Sequence, residues 1–78
     1  MGTEEGRKKL NQIMMEESYR LKTLKELRKD AFIMIENESF REHIPTIMEQ
    51  LDLINEEVDF IESELEYIRL FLTEEEEE

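Results

Sequence analysis

The sequence predicts an all-α protein, an antiparallel helical hairpin that self-associates into a four-helix bundle with coiled-coil-like packing. Three observations predict it. Apolar residues recur at alternating steps of three and four from Ile44 to Leu72, a spacing that only a helix gathers onto one stripe and that partner helices bury. A second helical pattern of similar length precedes this one, with a short segment between them that ends at the single proline. The chain has 78 residues, a size at which one core buries little surface and oligomerisation is a common remedy. Residues 1–73 are therefore one helical hairpin, followed by a disordered acidic tail at 74–78.

The first helix is expected from about Glu4 or Arg7 to about Glu36, taken as about residues 7–36, after a glycine-containing start, Met1–Gly6, that should fray. Leu10, Ile13, Met14, Leu21, Leu24, Leu27, Ala31, Met34 and Ile35 fall within one broad face at helical periodicity. Glu17 and Arg28 interrupt a strict heptad stripe, so this helix reads as an ordinary bundle helix. Pairs such as Glu16 and Arg20 add only tenths of a kcal/mol.

The connector is expected over about residues 37–44. Asn37 is suited to closing the first helix, and Ser39 with Glu42 forms a capping-box pattern, as Thr46 does with Glu49. Pro45 lacks a backbone donor and disfavours helical geometry at Ile44. A start near Pro45 after a short turn is therefore favoured over a start at Ser39 with a kink.

The second helix is expected over about residues 45–72. With Ile47 at a d position, Ile44, Leu51, Val58, Leu65 and Leu72 occupy a, and Ile47, Ile54, Ile61 and Ile68 occupy d. Leucine-rich a with isoleucine at d suits three or four helices around the axis better than a simple pair. A further stripe, Leu53, Phe60 and Tyr67 with Phe71 beside it, calls for a second neighbour. One neighbour is the first helix and the other a second chain, so Ile47, Leu51, Ile54, Val58, Ile61, Leu65 and Ile68 are assigned to self-association.

Charge divides the chain. The formal net charge is -12, and all of it lies beyond residue 39, because acids and bases balance before that point. Glu49, Asp52, Glu56, Asp59 and Glu66 share the side of the second helix opposite the a/d stripe, and are the candidate surface for a basic protein partner. Carboxylates between Glu49 and Glu66 recur about every 3 Å of helix, and two copies would approach the one charge per ~1.7 Å of duplex DNA. There is no cysteine, which removes thiolate chemistry and cysteine-based metal sites. No apolar run approaches the ~20 residues of a membrane span, and the N-terminus has no apolar signal core. A cytoplasmic location, that of a host cell included, and no membrane partner are expected.

No catalytic centre is expected. His43, the only histidine, has no nucleophile or ligand at a useful spacing. Di-metal bundles place a glutamate and histidine pair on core positions, whereas the core positions here are apolar, so neither a metal nor a cofactor is expected. Arg7-Lys8-Lys9 with Arg20, Lys22, Lys25, Arg28 and Lys29 makes a basic sector, but the overall negative charge opposes direct nucleic-acid binding. Met48-Glu49-Gln50-Leu51-Asp52 is similar to the Ser-Gln-Glu-Leu-Asp signature of helical-hairpin response-regulator phosphatases only in its Leu-Asp. It lacks the Ser-Gln pair, so no role is carried over. The expected function is a non-enzymatic protein-interaction module, a small acidic regulator, inhibitor or assembly chaperone. The alternative is an acidic nucleic-acid mimic that blocks a DNA- or RNA-binding protein.

Overall fold

A computed structural model describes the backbone of residues 4–77 and the side chains of residues 4–74. Helix α1 spans Glu4–Glu36, a 3-10 turn spans Glu38–His43, and helix α2 spans Ile44–Glu77. The two long helices lie side by side and antiparallel, giving an elongated hairpin of 56 × 14 × 14 Å. The expected all-helical hairpin is present.

The turn owes its shape to Asn37. Its backbone N–H donates to the Met34 carbonyl at 3.1 Å, and its own carbonyl accepts from the Phe40 N–H at 3.0 Å. Its side-chain Oδ1 accepts from the Ser39 N–H at 2.9 Å, so an asparagine, not Ser39, caps the turn. Phe40 folds back onto Ala31, Ile47 and Leu51, which anchors the turn on the end of the hairpin. Helix α2 then starts at Ile44, with Pro45 in the first turn, where a missing N–H has no partner to lose. Ile44 takes helical angles, φ −54° and ψ −46°, despite the proline after it. Its N–H donates to the Arg41 carbonyl, which ties α2 to the turn without a break.

The apolar stripe of α2 is buried against α1 of the same chain. Val58 and Ile61 are the most enclosed residues, at 1% and 2% exposure, and they cluster with Leu24 and Leu65. Met14, Leu21 and Ile54 pack on that cluster. A second cluster nearer the turn joins Ala31, Ile47 and Leu51, with Met34, Ile35 and Phe40 against it. Fully burying one such aliphatic side chain contributes ~1.5–3 kcal/mol, so this central zipper is the main source of stability.

Helix α1 begins at Glu4, the earlier of the two expected starts, with Glu4 and Glu5 in its first turn, where acids complement the helix dipole. Two boundaries differ from expectation. The connector is shorter in effect than residues 37–44, because the 3-10 turn runs directly into α2. Helix α2 continues through Thr73 to Glu77, where a disordered tail was expected. Glutamate is a good helix former, no glycine or proline stops the chain there, and the Thr73 hydroxyl donates to the Arg69 carbonyl at 2.9 Å. The expectations for Met1–Thr3 and for Glu78 lie outside the described residues.

Helix α1 also differs in the face it turns inward. Its buried and half-buried residues, among them Leu10, Met14, Glu17, Leu21, Leu24, Arg28, Ala31 and Ile35, follow the same three-four alternation as α2. Glu17 and Arg28 therefore sit within a heptad stripe, not across it. Ile13 and Leu27, expected inside, are exposed on one flank. Long charged side chains allow this, because their apolar stems lie along the interface while the charged ends reach water.

Candidate functional site

The register of the zipper fixes what each surface of the hairpin carries. In an antiparallel pair, residues flanking the stripe on one side of α1 meet those flanking it on the same side of α2. On one flank Arg20 reaches Glu57, with its Nε 3.1 Å from Glu57 Oε1 and its Nη2 paired to the same oxygen. On the other flank Lys25 Nζ lies 3.3 Å from Glu62 Oε2, and Arg28 Nη1 donates to Asn55 Oδ1 at 3.3 Å. These contacts divide the surface into two flanks, the back of α1 and the back of α2.

The flank of Arg20 and Glu57 is the apolar one. Ile13 and Leu27 border it on α1, and Leu53, Phe60, Tyr67 and Phe71 on α2. Phe60 and Tyr67 are 63% and 73% exposed, which shows that the second stripe of α2 has no neighbour within the chain. Hollows of about 230 and 150 Å³ flank its aromatic rings, one between Phe60, Glu64, Tyr67 and Ile68, the other between Tyr67, Leu70, Phe71 and Glu74. The flank of Lys25 and Glu62 is more polar, and its exposed apolar residues, Phe32 and Met48, stand near the turn.

The residues assigned to self-association face inward. Ile47, Leu51, Val58, Ile61 and Leu65 are buried on α1 of the same chain, and Ile54 and Ile68 are half-buried. The stripe left uncovered is the second one, Leu53, Phe60 and Tyr67 with Phe71 beside it.

The acidic surface lies on the back of α2. Glu49, Asp52, Glu56, Asp59 and Glu66 are all exposed, and none of them takes part in an ion pair among the described residues. Within this ridge, Asp52, Asp59 and Glu66 stand about 100° around α2 from Leu53, Phe60 and Tyr67, whereas Glu49 and Glu56 lie one turn from Leu53 and Phe60. The neighbouring acids differ in this respect, since Glu57 and Glu62 are tied to Arg20 and Lys25. That pairing thins the carboxylate density that a nucleic-acid mimic would use.

Among the described residues, one group is shifted in its titration. The hydrogen bond and charge of Glu57 raise the Arg20 guanidinium above its ordinary value. A raised pKa stabilises the fold at every pH below the ordinary value, and the effect is lost only as pH climbs through the raised one. The Arg20 end of the pair therefore stays charged at any pH of practical use.

His43 is exposed in the 3-10 turn, and no charged side chain is buried among the described residues. No group of three or more histidine, cysteine, aspartate or glutamate side chains is placed to hold a metal among them. No helix among them is long and apolar enough to cross a membrane. The basic residues of α1 edge a shallow groove of about 430 Å³ lined by Leu21, Lys22, Lys25 and Lys29, with Ser18 and Glu26. No protein-family model matches the chain, and neither a curated protein nor a solved structure does.

Proposed function

We propose that this chain is a non-enzymatic protein-interaction module, a small acidic helical regulator, inhibitor or assembly chaperone. Its acidic ridge meets a basic surface on a protein partner. The observation that carries this reading is the contrast between acids on one helix. Glu57 and Glu62 are neutralised across the hairpin, whereas Glu49, Asp52, Glu56, Asp59 and Glu66 form a ridge with no ion-pair partner among the described residues. A fixed helix holds these charges at constant spacing, and such a ridge steers a complementary surface and speeds encounter. The interior offers no counter-argument in favour of catalysis, because the space between the helices is filled by aliphatic side chains and not by a cleft with converging polar groups.

The test compares the parent chain with a triple variant, Asp52→Lys, Glu56→Lys and Asp59→Lys, as bait for proteins in a nuclease-treated extract of source cells. The parent should retain a basic protein at low salt that the variant, equally helical, loses. Equal retention by both baits would overturn the reading. Added duplex DNA that displaced the retained protein would identify the partner as a nucleic-acid-binding protein.

A further inference from the structure

The uncovered stripe borders the acidic ridge but is itself apolar. We infer that the flank built from Ile13, Leu27, Leu53, Phe60, Tyr67 and Phe71 is the seat of a second copy of this chain. Two hairpins joined through it form the core of a four-helix bundle.

Surface area gives the first reason. A folded monomer of 9.5 kDa exposes on the order of 5,000 Å², whereas this hairpin exposes 6593 Å². The surplus of roughly 1,500 Å² exceeds the ~800 Å² that each partner contributes to a standard interface. A second hairpin laid along the flank removes surface of this order from both chains.

Symmetry of the flank gives the second reason. Ile13 and Leu27 stand one heptad to either side of Arg20, and Leu53 and Tyr67 stand one heptad to either side of Phe60. The contact of Arg20 with Glu57, one helical turn from Phe60, brings these two midpoints to nearly the same level. The flank therefore has Ile13, Leu27, Leu53 and Tyr67 at its ends around Arg20 and Phe60, and a two-fold operation can map such an arrangement onto itself. The hollows beside Phe60 and Tyr67 are of a size to take apolar side chains from the facing row. At the centre, Arg20 has Glu57 and Glu64 of the second copy as further acceptors, which gives the assembly a register.

Charge gives the third. A chain of net charge -12 repels its own kind, so a second copy fits best on a flank that is mainly apolar and where Glu57 is already paired with Arg20. Asp52, Asp59 and Glu66 each stand about 100° around α2 from the stripe residue that follows them, so an assembly through that flank keeps them on its outer sides, while Glu49 and Glu56, one turn from Leu53 and Phe60, stand at its rim. The same arrangement leaves the ridges free for another protein.

The experiment is sedimentation equilibrium of the full chain, with circular dichroism on the same samples. The parent should show twice the chain mass. Phe60→Glu should return it to the single-chain mass. Tyr67→Ala, which only truncates a ring, should raise the dissociation constant about tenfold or more with helicity kept at high concentration. Phe32→Glu, on the opposite flank, should leave the mass unchanged. A helical parent of single-chain mass at ~100 μM would overturn the inference and leave the flank to a different protein. So would a double mass that neither flank substitution alters. If Phe60→Glu unfolds the chain, Tyr67→Ala and Phe32→Glu decide between the flanks. The ridge reading is tested separately, because a monomeric parent can still lose its partner on ridge reversal.

Discussion

Arg20 on α1 and Glu57 on α2 join across the hairpin through the Arg20 Nε at 3.1 Å and through its Nη2. The pair is solvent-exposed, and exposed pairs contribute little to stability. Its importance is positional. It marks the flank on which Leu53, Phe60 and Tyr67 stand, and it occupies one of the few polar positions along that row. The partner pair on the other flank, Lys25 and Glu62 at 3.3 Å, has no comparable row of aromatic rings beside it. Two otherwise similar flanks thus differ in what they leave exposed.

Ile61 should dominate stability. It is 2% exposed between Leu24 and its neighbours on α2. Ile61→Ala should cost ~2–5 kcal/mol in urea denaturation. Ile61→Asp, which buries an unpaired carboxylate, should abolish helicity by circular dichroism. A melting temperature within a few degrees of the parent for the aspartate variant would mean that the zipper is open to solvent.

Asn37→Ala should destabilise by ~1 kcal/mol, because the Ser39 N–H loses its acceptor at the start of the 3-10 turn. Ser39→Ala should have a smaller effect, since no hydrogen bond of its side chain supports the turn among the described residues. Urea midpoints of the two variants, measured side by side, check the order.

The zipper of α2 was legible because no polar residue interrupts it, so periodicity alone identified both the helix and its buried face. The stripe of α1 was not, because Glu17 and Arg28 stand on it. A reading by residue type rejects such positions, whereas a reading by spacing alone from Leu10 through Met14, Leu21, Leu24 and Ala31 to Ile35 keeps them. That one difference placed Ile13 and Leu27 in the interior, so the apolar flank was legible on α2 but not on α1. The owner of the partner helix was not legible either. An unbroken stripe states that a partner helix exists but not whose it is, and here α1 of the same chain already covers Val58 and Ile61. The glutamates after Thr73 read as a solvated tail by charge, while local helix propensity carries α2 through Glu77.

Reversal of Asp52, Glu56 and Asp59 to lysine should leave helicity intact, because these side chains point away from both clusters. Association with the basic partner should slow at least ~10-fold at low salt in stopped-flow mixing. The slowing should shrink as salt screens the ridge. An unchanged rate at low salt would leave the ridge as a solvated face only.

Salt should act in opposite directions on the two surfaces. The dimer joins two chains of net charge -12 each through a mainly apolar flank, so screening reduces repulsion and should lower its dissociation constant. The ridge complex depends on attraction and should weaken over the same range. Sedimentation and partner-binding titrations across one salt series check both signs. Parallel trends would show that one surface serves both contacts.

The central claim is that the zipper of α2 closes within one chain while its aromatic row closes between chains. Isotope-filtered nuclear Overhauser spectra of an equal mixture of labelled and unlabelled chains test it most directly. Phe60, Tyr67 and Leu53 should give contacts between chains, while Val58 and Ile61 should contact Leu24 within one chain only. Contacts between chains at Val58 and Ile61, with none at Phe60, would contradict the claim.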